Sequence, residues 1–179
     1  VSTPEVIKAV IDTAINPALA FLPAHMDSPA ARVLLVAIGL QESGLVNRFQ
    51  LTDTRGGKGP ARGLWQNERG GGVRGVCNSS ATTEQARLLC HERGVSFDPG
   101  AIWARLEYDD VLAAGFARLI LWADPLPLPN LFDADAGWLC YLRNWRPGKP
   151  RPEPWAGYHM AAVAAVVPPA PKTPPENDL

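Results

Sequence analysis

Residues Ser28–Gly44 read SPAARVLLVAIGLQESG, and this stretch decides the fold. Ser28 followed by Pro29 is a helix start: a capping hydroxyl, then a proline at the first helical position, where no N–H is needed. From Val33 to Leu40 nearly every residue is apolar, so no face is left for water. A helix of that kind belongs in the middle of a domain. It runs out in Gln41, Glu42, Ser43 and Gly44. An acid at the end of a buried helix meets the negative pole of the helix dipole and loses hydration. Both effects raise its pKa.

Working outward, Thr3, Pro4 and Glu5 open an earlier helix, in which Val6, Ile7, Val10, Ile11, Ala14 and Ile15 recur at helical spacing. Asn16-Pro17 is expected to end or kink it. Thr52 to Gly75 is rich in glycine and charge and reads as a loop with at most one short hairpin, closed by a turn at Gly70-Gly71-Gly72. Thr82 with Gln85 forms a capping-box pattern for a helix reaching about Arg93. Asp109–Trp122 carries Val111, Leu112, Phe116, Leu119 and Ile120 on one face and is stopped by Pro125. Asp133–Trp145 and Pro154–Val167 supply the last helices. The expectation is a mainly α domain over residues 1–167, with six to seven helices and at most one short β-hairpin. The proline-rich polar segment 168–179 reads as a disordered tail.

The whole-chain properties exclude several classes. A formal net charge of −1 gives no reason to expect nucleic-acid binding, which normally needs a basic face. No stretch reaches the ~20 apolar residues a membrane span needs. Three cysteines are too few for a disulfide scaffold; Cys77 and Cys90 either pair or, with more weight on composition, stay as buried thiols. His91 beside Cys90 lacks further ligands at zinc spacing, so neither a metal nor another cofactor is expected. The N-terminal segment lacks the basic-then-apolar pattern of a secretory signal. Delivery to a target outside the cytoplasm would then need another route.

Two segments carry the chemistry: Ala37–Leu45 (AIGLQESGL) and Gly59–Glu68 (GPARGLWQNE). In order and spacing they resemble the core of the lytic transglycosylase and goose-type lysozyme families. Those families place an acid followed by Ser-Gly at the end of a buried helix, then a Gly-Leu-Met-Gln segment after a loop. Glu42-Ser43-Gly44 stands at the first place and Gly63-Leu64-Trp65-Gln66 at the second, with Trp65 replacing the methionine. Those families carry a later helix followed by Ala-Tyr-Asn; Asp110–Leu121 resembles that helix, and Cys140-Tyr141-Leu142 stands at the element, with Leu142 in place of the asparagine.

The resemblance implies a lysozyme-like fold and cleavage of peptidoglycan glycan strands, with Glu42 as the catalytic acid. It also implies that Ser43, Gly63, Leu64, Trp65, Gln66 and Tyr141 contact the substrate. Glu68 lies where goose-type lysozymes have an aspartate and is the candidate second carboxylate, with Asp53 as another; for Glu68 an acid at the start of a turn is the alternative. Lytic transglycosylases need no second carboxylate, since the sugar's own 6-hydroxyl attacks.

The chemistry independently suits Glu42. Glycosidic cleavage needs a carboxylic acid still protonated near neutral pH, and an apolar helix beside it favours the neutral form. Flat rings that suit sugar faces are Trp65, Tyr141, Trp145 and Tyr158, whereas core packing is the alternative for Trp138, Trp145 and Trp155. Arg143, Arg146, Lys149 and Arg151 form a basic cluster, either a solvated loop or a contact for the lactyl and peptide carboxylates. The segments GPARGLWQ and WRPGK also resemble phage-encoded relatives, which implies action at the bacterial wall and other phage virion proteins as partners. The rival expectation is a catalytically inactive phage tail or ejection protein that keeps the fold.

Overall fold

The computed structural model describes residues 2–52 and 57–167; Asp53 and the segment 168–179 lie outside the described residues. The protein is mainly α-helical with one small antiparallel sheet. At its centre runs the helix read first above, Pro29–Ser43. Because the labels follow chain order, it is α3, after α1 (Pro4–Val10) and α2 (Asn16–Phe21). Ser28 caps it, its hydroxyl accepting from the Ala31 N–H at 3.2 Å, and Gly44 closes it in the left-handed conformation at φ 64°. Between Val33 and Ser43 every residue is buried except Glu42. Over that span the helix therefore presents a single functional group to the outside.

Around α3 pack α7 (Asp110–Ala123) and α9 (Trp155–Val166), with α8 (Ala134–Trp145) against α9. Asp109 and Asp133 cap α7 and α8, accepting from the N–H groups of Leu112 (3.0 Å) and Ala136 (2.9 Å). Asn16-Pro17 does not break the first helix. A π turn over Ile11–Ile15 joins α1 to α2, and the Asn16 N–H reaches back to the Ile11 carbonyl. The wider turn absorbs the register change around a proline that has no N–H of its own.

The sheet is larger than a hairpin. Strands β1 (Phe49–Leu51), β2 (Lys58–Arg62) and β3 (Asn67–Glu68) pair antiparallel in the order β1-β2-β3. Phe49 lies opposite Arg62, and Ala61 opposite Glu68. The second hairpin exists because Gly63-Leu64-Trp65-Gln66 is itself the turn between β2 and β3. Gly63 sits at φ 74°, and a Cβ there would stand 2.9 Å from the Leu106 carbonyl oxygen. Only glycine meets both demands without strain.

Elsewhere the chain departs from its local signals. Gly70-Gly71-Gly72 does not form a turn; it lies in a π-helical stretch, Arg69–Val73, that feeds α4 (Arg74–Asn78). Thr82 precedes α5 (Thr83–Glu92) without a capping box, because its hydroxyl is buried and donates to the Val76 carbonyl at 2.7 Å. A further helix, α6 (Pro99–Arg105), was not anticipated, although Asp98-Pro99 repeats the grammar of Ser28-Pro29. The Asp98 carboxylate accepts from the N–H groups of Gly100 and Ala101 at 2.9 Å each. Cys77, Cys90 and Cys140 are buried free thiols, and burial pushes Cys90 up to about 12. No helix among the described residues is long and apolar enough to cross a membrane.

Candidate active site

The end of α3 is held by the turn between β2 and β3. The buried Ser43 hydroxyl donates to the Leu64 carbonyl at 2.6 Å and accepts from the Leu45 N–H at 3.1 Å. The Trp65 indole N–H donates to the Leu35 carbonyl at 2.8 Å, and the Trp65 carbonyl accepts from the Trp145 indole at 2.8 Å. The motif is thus a clamp. It locks the acid-bearing helix to the sheet on one side and to α8 on the other.

That geometry places four of the substrate contacts expected from sequence inside the fold. Ser43, Gly63, Leu64 and Trp65 are buried, with Leu64 and Trp65 at 0% exposure, so none offers its side chain to a sugar. Each instead spends its polar groups or its volume on the clamp. Gln66 alone of the turn reaches the open side. It sits at φ 49°, and its side-chain amide donates to the Gly63 carbonyl at 2.9 Å.

Glu42 opens into a cleft of about 1570 Å³. Single small-molecule sites run to roughly 300–1,000 Å³, so this cleft suits an extended ligand. Gln66, Asn67, Glu68, Tyr141, Asn144 and Trp145 also face it. Glu42 and Glu68, placed on different elements, therefore share one cleft, with Glu68 exposed on the rim. Tyr158 is not among the cleft residues.

Tyr141 is 3% exposed, and its phenol donates to Glu42 Oε1 at 2.6 Å. Its ring is stacked on Trp155 (5.5 Å, 19°) and tilted against Trp138 (5.1 Å). Such a ring has no free face for a sugar; its contribution is to orient the acid. Trp155 is buried core, Trp138 is half-buried against it, and Trp145 is half-buried at the cleft wall.

Burial raises the pKa of Glu42, and the charge of Glu68 pushes it the same way; the Tyr141 hydrogen bond and the charge of Arg151 oppose them. The net shift is upward, toward an acid that keeps its proton. The same burial, together with the Glu42 charge, pushes Tyr141 far above the usual phenol range, so its hydroxyl remains a donor.

No family model, curated protein or solved structure matches this chain. What the cleft does must be argued from its own atoms. Among the described residues no group of three or more His, Cys, Asp or Glu side chains is placed to hold a metal ion.

Two features escaped the sequence. Gln41, 6% exposed, donates from its side-chain amide to the Arg151 carbonyl at 2.9 Å, tying the segment after α8 to the end of α3. Asp124, beyond α7, accepts from Arg143 at 2.6 Å and from Asn144 at 2.7 Å. Although burial pushes the Asp124 carboxyl upward, these hydrogen bonds hold it below the usual carboxylate range. The sequence held no local signal for the second, since Asp124 lies 19 residues before Arg143. For Gln41 there was only its place beside Glu42.

The balance at Glu42 makes a signed prediction. If activity requires protonated Glu42, the rate falls as pH rises through its pKa. Tyr141→Phe and Arg151→Gln each remove a group that stabilises the carboxylate, so each moves that alkaline limb to higher pH. Glu68→Gln removes a like charge and moves it lower. A pH profile of kcat for the three variants is the measurement, and an upward shift for Glu68→Gln contradicts the assignment.

Proposed function

We propose that the chain cleaves the β-1,4 bond between N-acetylmuramic acid and N-acetylglucosamine in peptidoglycan, as a lytic transglycosylase with Glu42 as general acid. The observation that carries this reading is the protonation-favouring burial of Glu42 at the wall of a long cleft. The resemblance of Glu42-Ser43-Gly44 and Gly63–Gln66 to lysozyme-like enzymes supports it.

In this reading the Tyr141 hydroxyl occupies Glu42 Oε1, so the transferable proton sits on the other oxygen. Glu42 gives that proton to the glycosidic oxygen as the bond from C1 breaks. The carboxylate so formed takes the proton of the muramoyl 6-hydroxyl, whose oxygen closes on C1 to give a 1,6-anhydro product. A water in place of that hydroxyl gives hydrolysis, and Glu68 is then the carboxylate available to orient it. The exposure of Glu68 favours the first course, because no packing fixes a second carboxylate on the far side of the sugar. Phage origin and action at the bacterial wall, with virion proteins as further partners, belong to the same reading.

The experiment is digestion of purified peptidoglycan, with mass spectrometry of the released muropeptides. Products ending in 1,6-anhydro-muramic acid are expected. Reducing ends make the enzyme a muramidase. No release by folded protein leaves the inactive structural virion component as the better account.

A further inference from the structure

The segment Arg146–Pro152 reads RPGKPRP, and it is built to stay in place. Arg146 ends α8 in the left-handed conformation at φ 48°. Pro147, Pro150 and Pro152 fix backbone angles along the segment. The Gln41 side chain pins its far end through the Arg151 carbonyl at 2.9 Å. Cations carried on such an arm are held against the cleft rather than free to drift from it.

Four of the cleft's basic side chains, Arg74, Arg146, Lys149 and Arg151, have no ion-pair partner among the described residues, whereas Arg143 is neutralised by Asp124. The carboxylates left to oppose them in the cleft are Glu42 and Glu68, since Asp124 is taken up by Arg143. A protein whose formal net charge is −1 therefore concentrates positive charge in the groove, three of the four cations on this one arm. A cleft lined by one sign of charge focuses its field and gathers ligands of the other sign.

We infer that this arm is a subsite for the carboxylates of the peptide stems on the glycan strand, and that the protein prefers stem-bearing strands over uncharged ones. The inference rests on peptidoglycan being the substrate. A plain polysaccharide of N-acetylated sugars is neutral and gains nothing from four unpaired cations; the charge lies in the lactyl-linked peptides. Arg151 joins the two halves of the site, since its charge also reaches Glu42 and Tyr141.

The test uses the non-cleaving Glu42→Gln chain and purified glycan strands with peptide stems. The same strands with their carboxylates converted to methylamides serve as the neutral probe. The native strands are expected to bind roughly tenfold more tightly, and about 0.5 M salt should erase the difference. In the same background, Arg146→Gly with Lys149→Gln should lose most of that preference. Glycine accepts the left-handed position, so the turn survives. Arg146→Lys with Lys149→Arg should keep the preference. Equal binding of both probes overturns the inference, as does a charge-conserving pair as weak as the neutral one. Tighter binding of single-stranded oligodeoxythymidine than of native strands overturns it in favour of nucleic acid. If the wild type releases no muropeptides yet the strands are still told apart, the enzymatic reading falls and the subsite stands.

Discussion

Replacing Glu42 by glutamine should lower kcat on peptidoglycan by roughly 10²–10⁴-fold, the range that a general acid contributes, without destabilising the fold. The two halves of that expectation come from one observation. Burial raises the Glu42 pKa above its unfolded value, so ionising it favours the unfolded chain. Its contribution is therefore fully present below the unfolded pKa and is lost as pH rises through the raised, folded one. Glutamine does not ionise, and its side-chain oxygen still accepts from the Tyr141 hydroxyl. Thermal melts between about pH 4 and 8 should show the variant matching the wild type at the acid end and overtaking it toward neutrality. A residue retained for structure would behave the other way round, losing stability and sparing the rate. A variant that melts earlier at neutral pH, or that still cleaves at the wild-type rate, ends the case for Glu42.

The second large effect concerns Trp65. Its indole is at 0% exposure and donates to the Leu35 carbonyl at 2.8 Å, inside the helix that carries the acid. Trp65→Ala removes both the ring volume and that hydrogen bond, and should cost about 3–5 kcal/mol. For a domain of this size that lowers the melting temperature by roughly 6–20 °C. Trp65→Met keeps most of the apolar bulk and should cost about 1–3 kcal/mol. Calorimetry on the two variants reads the cost. Steady-state kinetics on Trp65→Met, well below its melting point, should show a KM close to that of the wild type. A marked rise in KM with little loss of stability would restore Trp65 to the sugar-binding surface.

Trp65 also shows where the sequence stops being legible. In α3 the apolar run has no polar face, so burial follows from the residues alone, and the one acid at its end stands out. Between β2 and β3 the chain has no period. An aromatic in such a turn can face in or out, and nothing local says which. The resemblance implies Trp65 as a sugar contact; the structure buries its ring against α3. Tyr141 was found as a residue but not in its role, because a stacked ring with a 2.6 Å hydrogen bond to Glu42 depends on α8 crossing the end of α3. Thr82 was misread for a similar reason. The Val76 carbonyl, six residues back, outcompeted the capping position. The short helices α4 and α6 offered too few residues for a periodic pattern, though the Asp98-Pro99 start of α6 was open to view.

The spans bridged at the site carry a consequence for how the molecule comes into being. Glu42 and its tyrosine are 99 positions apart, and Gln41 and Arg151 are 110 apart. At roughly 5–20 residues per second, a ribosome delivers the acid several seconds before the groups that orient it and wall its groove. Contacts so distant in sequence also close late in folding, after the local helices have formed. The growing chain thus carries the Glu42 carboxyl unaimed until α8 and the segment behind it arrive. Its hydrogen-bond partner and the wall of its groove come together only once the stretch from Tyr141 to Arg151 has been made.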